Sequence, residues 1–247
     1  MAKPKFLTAE WRNLLMLNYE VDPEILKPYL PASTELDLWQ GKALVSMVGF
    51  LFKNTRVFGV KWPLHVNFEE VNLRFYVRCF DGTEWKRGAV FISELVPKPV
   101  IAITAKTIYN EPYRALPMRH SIEESGNAQT RFLYEWKVKS QWNKLGATVD
   151  NVTKPIEPNS PEEFIFEHYW GYNKLRSGQT LEYAVEHVSW HIRDVKDCVF
   201  EADIAELYGS EFVPYLSVKP YSAFFADGSD IVVRVAGKIK SFPVPAI

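Results

Sequence analysis

The chain has 247 residues, 47% of them hydrophobic, with 29 basic against 30 acidic side chains and a formal net charge of −1. That balance lacks the basic excess that phosphate contacts leave behind, which excludes a protein built to coat nucleic acid. A chain of this size buries about 70–75% of its unfolded surface, so it needs neither disulfides nor a structural metal to hold a core.

Sixteen Phe, 12 Tyr and 8 Trp make 15% of the chain aromatic, enough to form a core and also to line a pocket. Only Cys79 and Cys198 are present, far apart and outside any metal-ligand spacing, as expected in a reducing compartment. Lys3 and Lys5 precede a short apolar stretch broken upstream by Glu10 and Arg12, so no export signal is predicted. No apolar run reaches the ~18 residues of a membrane helix. The expectation is a cytoplasmic protein, in which Asn151-Val152-Thr153 is an idle turn sequence.

Period-two alternation dominates the chain. Strands are predicted over 14–21, 35–39, 43–52, 71–79, 89–95, 131–139, 180–188 and 231–236, bounded by turn pairs such as Gln40-Gly41, Asp81-Gly82 and Asp227-Gly228. In 131–139, Phe132, Tyr134, Trp136 and Val138 fall on one face and mostly charged residues on the other. Helices are short. Asp22-Pro23-Glu24 caps one that ends near Leu30-Pro31, and Ser160-Pro161-Glu162-Glu163 is a capping box before 164–169. Pro99 opens a helix over 100–109, and 201–208 ends at Gly209. The polar stretch 146–160, with Pro155 and Pro158, reads as a long loop inside one domain spanning 1–247. The fold class is β-rich α+β.

Common catalytic signatures are missing. No two glycines lie two positions apart, which removes the dinucleotide and phosphate-loop fingerprints, and there is no nucleophile elbow. His187 and His191 would share a helix face, but their segment reads as strand, where four residues span about 13 Å. No metal site and no cofactor are expected.

The segment from Pro99 through Tyr109-Asn110-Glu111-Pro112-Tyr113-Arg114 resembles the acetoacetate decarboxylase-like superfamily, in which an apolar helix runs into a proline followed by two lysines. Arg12-Asn13-Leu14 to Tyr19, with 22–31, is similar to that superfamily's opening strand and helix. The closer likeness, over nearly the whole chain, is to the YqjF-like family of uncharacterised bacterial proteins. It is carried by Trp11-Arg12, Tyr109 to Tyr113, His168-Tyr169-Trp170-Gly171-Tyr172, Leu181-Glu182-Tyr183 and Glu186-His187.

The resemblance implies an antiparallel conical β-barrel with a few short outer helices and an internal ligand cavity, and an arginine near the active site that falls on Arg12. It also exposes a departure, because Tyr113 and Arg114 stand where the decarboxylases carry lysines. An imine needs a primary amine of lowered pKa, a role for which the decarboxylases are themselves the standard illustration. Neither phenol nor guanidinium supplies it, and 55–64 offers no acid to match the superfamily's catalytic glutamates. Lys106, the nearest amine, is expected on an exposed helix face.

The candidate ligand contacts are Arg12, Tyr109, Tyr113, Arg114, Trp170 and Tyr172, and the candidate acid–base groups are Tyr113, Glu111 and His168. Each has a structural alternative. Arg12 can be a strand-end ion pair, Glu111 can be neutralised by Arg114, and the alternating His168, Trp170 and Tyr172 can be core. His65 reads as a surface histidine. The leading expectation is a barrel that binds a small carbonyl-bearing or aromatic molecule without imine chemistry. Its rivals are a lyase or isomerase acting on a keto acid, and a filled barrel that serves protein interaction. No nucleic-acid or membrane partner is expected, and a homo-oligomer stays open.

Overall fold

The computed structural model describes residues 3–108, 110–126 and 128–240, without the side chains of 105, 106, 108 and 125. In chain order the strands are β1 (Lys5–Val21), β2 (Glu35–Leu36), β3 (Ala43–Val57), β4 (Phe68–Phe80), β5 (Trp85–Val96), β6 (Tyr113–Ala115), β7 (Met118–Ser125), β8 (Gln129–Val138), β9 (Gln141–Pro155), β10 (Trp170–Lys174), β11 (Thr180–Glu186), β12 (His191–Glu201), β13 (Ser222–Arg234) and β14 (Gly237–Lys238). The helices are α1 (Pro99–Ile108), α2 (Pro161–Phe166), α3 (Ile204–Tyr208) and α4 (Val213–Leu216), with 3-10 turns at Pro23–Tyr29 and Ser210–Phe212. None is long and apolar enough to cross a membrane.

Hydrogen-bonded neighbours run β14-β11-β10-β5-β4-β3-β1-β13-β12-β9-β8-β7, with β2 on β4 and β6 on β5, and β11 also pairs with β13. The sheet is mixed rather than antiparallel, because β5 pairs in parallel with both β6 and β10.

Local signals set the short elements. Asp22 accepts from the Glu24 N–H at the first 3-10 turn, and Ser160 Oγ accepts from the Glu163 N–H at 3.1 Å to open α2. Several expectations change. The Asp227-Gly228 pair, expected as a turn that bounds a strand over 231–236, lies within β13. The expected loop 146–160 is largely strand, since β9 runs to Pro155 with Leu145, Ala147 and Val149 buried and its last five residues solvent-facing. The helix expected from 201 starts later, at Ile204, because β12 runs through Glu201 and Asp203 caps α3.

The central strands bury both faces, which divides the interior in two. Leu15, Leu17, Val71, Leu73 and Phe75 join Tyr134 and Trp136 of β8 in one core. Leu14, Met16, Phe50, Phe52, Phe68 and Tyr76 face a second core, closed by Phe164 and Phe166 of α2. The second core is incompletely filled.

A buried carboxyl cluster at an apolar cavity

Alternation on β4 sends Val71, Leu73 and Phe75 into the first core and Glu70, Asn72 and Arg74 toward the second. There the three polar residues line a cavity of about 360 Å³ whose walls include Trp11, Phe50, Phe52, Phe68 and Phe91. Two breaks in register complete the lining. On β5 an extra residue at Ile92 lets Phe91 pair with Arg74 and Ser93 with Leu73, so Phe91 and Glu94, three positions apart, both reach the cavity. On β1 the pairing with β3 slips between Arg12 and Leu15, at Asn13 with φ +58°. Trp11 and Leu14 therefore share the cavity side, and the freed Asn13 carbonyl accepts the Tyr134 hydroxyl at 2.7 Å.

Glu70, Glu94 and Glu111 are all buried against this cavity. Asn72 Nδ2 donates to Glu70 Oε1 at 2.9 Å, and the Tyr113 hydroxyl donates to Glu70 Oε2 at 2.9 Å. Glu111 Oε1 accepts from the Tyr183 hydroxyl at 2.6 Å and from Asn173 Nδ2 at 3.2 Å. Glu94 lies across the sheet from Asn72 on one side and from Tyr113 on the other.

Burial away from water disfavours the charged carboxylates. It pushes Glu70 up to about 7 against the opposing hydrogen bonds of Asn72 and Tyr113. It raises Glu94 well above the usual carboxylate range, reinforced by the neighbouring Glu111 and Glu70 charges, and raises Glu111 as well. Desolvation likewise holds the Tyr113 and Tyr183 phenols well above their ordinary range.

His168, also at the cavity, shares a 3.2 Å contact between its Nε2 and Asp37 Oδ2. Burial lowers it to about 4 despite that partner, so the ring is neutral near pH 7. Asp37 feels the same desolvation, but hydrogen bonds from His168 and Arg87 outweigh it and keep the group ionised. The ring therefore donates Nε2–H and leaves Nδ1 as a lone pair. Buried side-chain atoms without a partner concentrate here. Of the eight among the described residues, six (Trp11 Nε1, Thr55 Oγ1, Asn72 Oδ1, Arg74 Nε, Glu94 Oε2 and His168 Nδ1) belong to residues that line this cavity. Native proteins leave few such atoms, so their concentration singles this cavity out as the candidate site.

The cavity brings together Tyr113, Glu111, His168 and Trp170 of the candidates read from sequence. Tyr109 lies outside the described residues. The other three point elsewhere. Arg12 is turned by the β1 slip to Glu10, at 2.8 Å, and to the Gly228 carbonyl, at 3.3 Å. Arg114 pairs with Glu206 at 3.2 Å and not with Glu111. Tyr172 is fully buried in the first core, with its hydroxyl near Glu182 and the Lys86 carbonyl.

On β10 the side that meets the carboxyl cluster carries Gly171 and Asn173 instead of Tyr172, and a Cβ on Gly171 would sit 2.1 Å from Tyr183 Cζ. The glycine is what lets the Tyr183 ring lie there. Glu70, Glu94, Asn72, Arg74 and Tyr183 were not foreseen as site residues. The readable signal was Glu70-x-Asn72-x-Arg74 on alternate positions of a strand, a pattern that by itself describes a solvated face.

Among the described residues, no group of three or more His, Cys, Asp or Glu is placed to hold a metal ion.

The uncharacterized protein YqjF of Bacillus subtilis is 26% identical over 206 residues, covering 81% of this chain and 80% of that one. Among solved structures, acetoacetate decarboxylase from Legionella pneumophila superposes with a TM-score of 0.65 at 14% identity, over 98% of this chain and 90% of that one. The enduracididine biosynthesis enzyme MppR, complexed with pyruvate, superposes with a TM-score of 0.68 at 14% identity, over 98% and 92%. An acetoacetate decarboxylase-like enzyme from Sphingomonas wittichii gives 0.64 at 10% identity, over 97% and 95%. At these identities the structural likeness establishes the fold, which is acetoacetate decarboxylase-like and strand-rich. Residues 8–230 match the DUF2071 family, described as an uncharacterized conserved protein, and the chain belongs to that family.

Proposed function

We propose that this chain is a single-domain, cytoplasmic conical β-barrel that binds one small carbonyl-bearing or aromatic molecule in the cavity and does so without forming an imine. The observation that carries the reading is the apolar cavity of about 360 Å³ with six unpartnered buried polar atoms on its lining residues. That combination of apolar walls and a few convergent polar groups is typical of ligand sites. The extra pairing of β11 with β13 supports closure of the strands around the cavity. No lysine lines it among the described residues, and the side chain of Lys106 lies outside them.

A lyase or isomerase acting on a keto acid is the second reading. Tyr113, Glu111 and His168 share the cavity, and Glu70 beside them is brought close to neutrality, where a carboxyl serves as either acid or base.

Thermal shift against keto acids, quinones, phenols and aryl amines tests the binding reading. A true ligand at 100 times its Kd stabilises by about 2.7 kcal/mol, or roughly 5–10 °C in Tm for a chain of this size. No shift from any class would sink it. Borohydride reduction in the presence of acetoacetate or pyruvate is expected to leave the mass unchanged, and a covalent adduct on any lysine would overturn the exclusion of imine chemistry.

A further inference from the structure

We propose that the cavity selects an organic cation, an arylalkylamine whose ring lies among the aromatic walls and whose ammonium docks on Glu94 Oε2 and Asn72 Oδ1. The proposal rests on the ligand-binding reading above and names its ligand class.

The hydrogen-bond inventory points this way. The donors at the carboxyl end are already engaged, with Tyr113 on Glu70, Tyr183 on Glu111, and the Asn72 amide nitrogen on Glu70. Of the six unpartnered atoms on the lining, Asn72 Oδ1, His168 Nδ1 and, once its carboxyl ionises, Glu94 Oε2 accept, on residues 2%, 8% and 2% exposed; two others donate, and Thr55 Oγ1 can do either. A buried acceptor is satisfied only by a donor, and an ammonium brings three. Of the unpartnered donors, Trp11 Nε1 lies among the aromatic walls, where Trp11 packs edge-on to Phe50 and Phe52, and suits an oxygen substituent on the ring. The other, Arg74 Nε, sits beside Asn72 on β4.

Charge points the same way. Glu70, Glu94 and Glu111 face the cavity from β4, β5 and the segment before β6, with the Tyr113 and Tyr183 phenols between them and neutral His168 nearby. The only cation of the lining among the described residues is Arg74. Its Nη2 already donates to the Ile165 carbonyl at 3.3 Å and contacts Met16 Sδ at 3.6 Å, and its guanidinium carbon lies 5.4 Å from the Tyr76 ring centroid. A carboxylate ligand would place a buried negative charge beside three acids that burial already holds from ionising, whereas an ammonium offsets the charge of the one that ionises to meet it. The walls suit the rest of the molecule. Phe52 and Phe68 stack at 4.7 Å, and rings attract both an aryl group and an adjacent cation.

Calorimetry on the whole chain with phenethylamine, its neutral isostere 2-phenylethanol, anionic 3-phenylpropionate and pyruvate decides the matter. Phenethylamine is expected to bind at least tenfold more tightly than 2-phenylethanol, and 3-phenylpropionate more weakly than either. In two buffers of different ionisation enthalpy, the amine releases protons near pH 7 because a carboxyl must ionise to receive it, and the alcohol releases none. Glu94→Gln, nearly isosteric, should bring amine and alcohol to within about threefold. If that variant does not fold, the proton release of the unaltered chain still decides. Equal binding of amine and alcohol, or tighter binding of 3-phenylpropionate or pyruvate, overturns the choice of a cation and leaves the cavity reading standing. Binding of none of the four overturns both.

Discussion

The Tyr113 hydroxyl donates to Glu70 Oε2 at 2.9 Å, joining the residue that follows Pro112 to the polar face of β4. The phenol anchors a carboxyl cluster and offers no amine with which to form an imine. The same bond opposes the desolvation of Glu70, so its loss has a calculable sign.

Tyr113→Phe removes the donor and leaves a buried carboxyl oxygen unsatisfied, which costs about 1–3 kcal/mol. Tm should drop by several degrees. The Glu70 carboxyl should also titrate above its present value of about 7, visible as a persistent protonated-carboxyl stretch in difference infrared spectra at pH 8. An unshifted Glu70 titration would show that the bond does not form in solution.

Stability should fall as pH rises from about 6.5 to 8. Glu70 is raised in the fold to about 7 from an ordinary 4.5, with Glu94 and Glu111 raised in the same direction, so the folded state holds more protons than the unfolded chain in this window. The stability tied to those protons is complete below the unfolded value and is lost as pH passes the folded one. His168, lowered to about 4 from 6.5, opposes this only between those two values, where it favours folding as pH rises. Urea midpoints at pH 6.5, 7.25 and 8 measure the slope, and Glu70→Gln should flatten it. A midpoint that rises across the window contradicts the burial assigned to the cluster.

Gly228→Ala should be far more costly than Gly59→Ala. Both glycines have positive φ, +82° and +81°, so each substitution carries the left-handed penalty of about 1–2 kcal/mol. At Gly59 the new Cβ meets open space, but at Gly228 it falls 2.0 Å from the Trp11 carbonyl oxygen. That second variant has to break the β1–β13 pairing beside the cavity, with an expected loss of at least 3 kcal/mol in urea unfolding. Equal losses would mean that the two strands part without strain.

Arg12→Ala should change little. Its guanidinium is about one-third exposed, pairs with Glu10, and lies outside the cavity lining. Exposed pairs contribute at most about 1 kcal/mol. Affinity for any cavity ligand should stay within twofold, and a tenfold loss confined to anionic ligands would place Arg12 at the site.

What the sequence determined by itself was local. Asp22 and Ser160 cap helices because their side chains reach backbone N–H groups two or three residues away. The alternation of Phe132, Tyr134, Trp136 and Val138 marks one face of β8 because neighbouring side chains on a strand must point to opposite sides. The segment around Tyr113, Glu111, His168 and Trp170 was also legible from its resemblance, and all four residues meet at one cavity.

Tertiary structure decided which faces water reaches. Glu70, Asn72 and Arg74 alternate as a solvated stripe would, yet α2 and the second core cover that side of β4. Only long-range pairing showed that one-residue slips bring Glu94 into the cavity and turn Arg12 out of it. Periodicity fixes which residues share a face within an unbroken strand. It carries no information about what packs on that face, and a single inserted residue reverses every assignment beyond it.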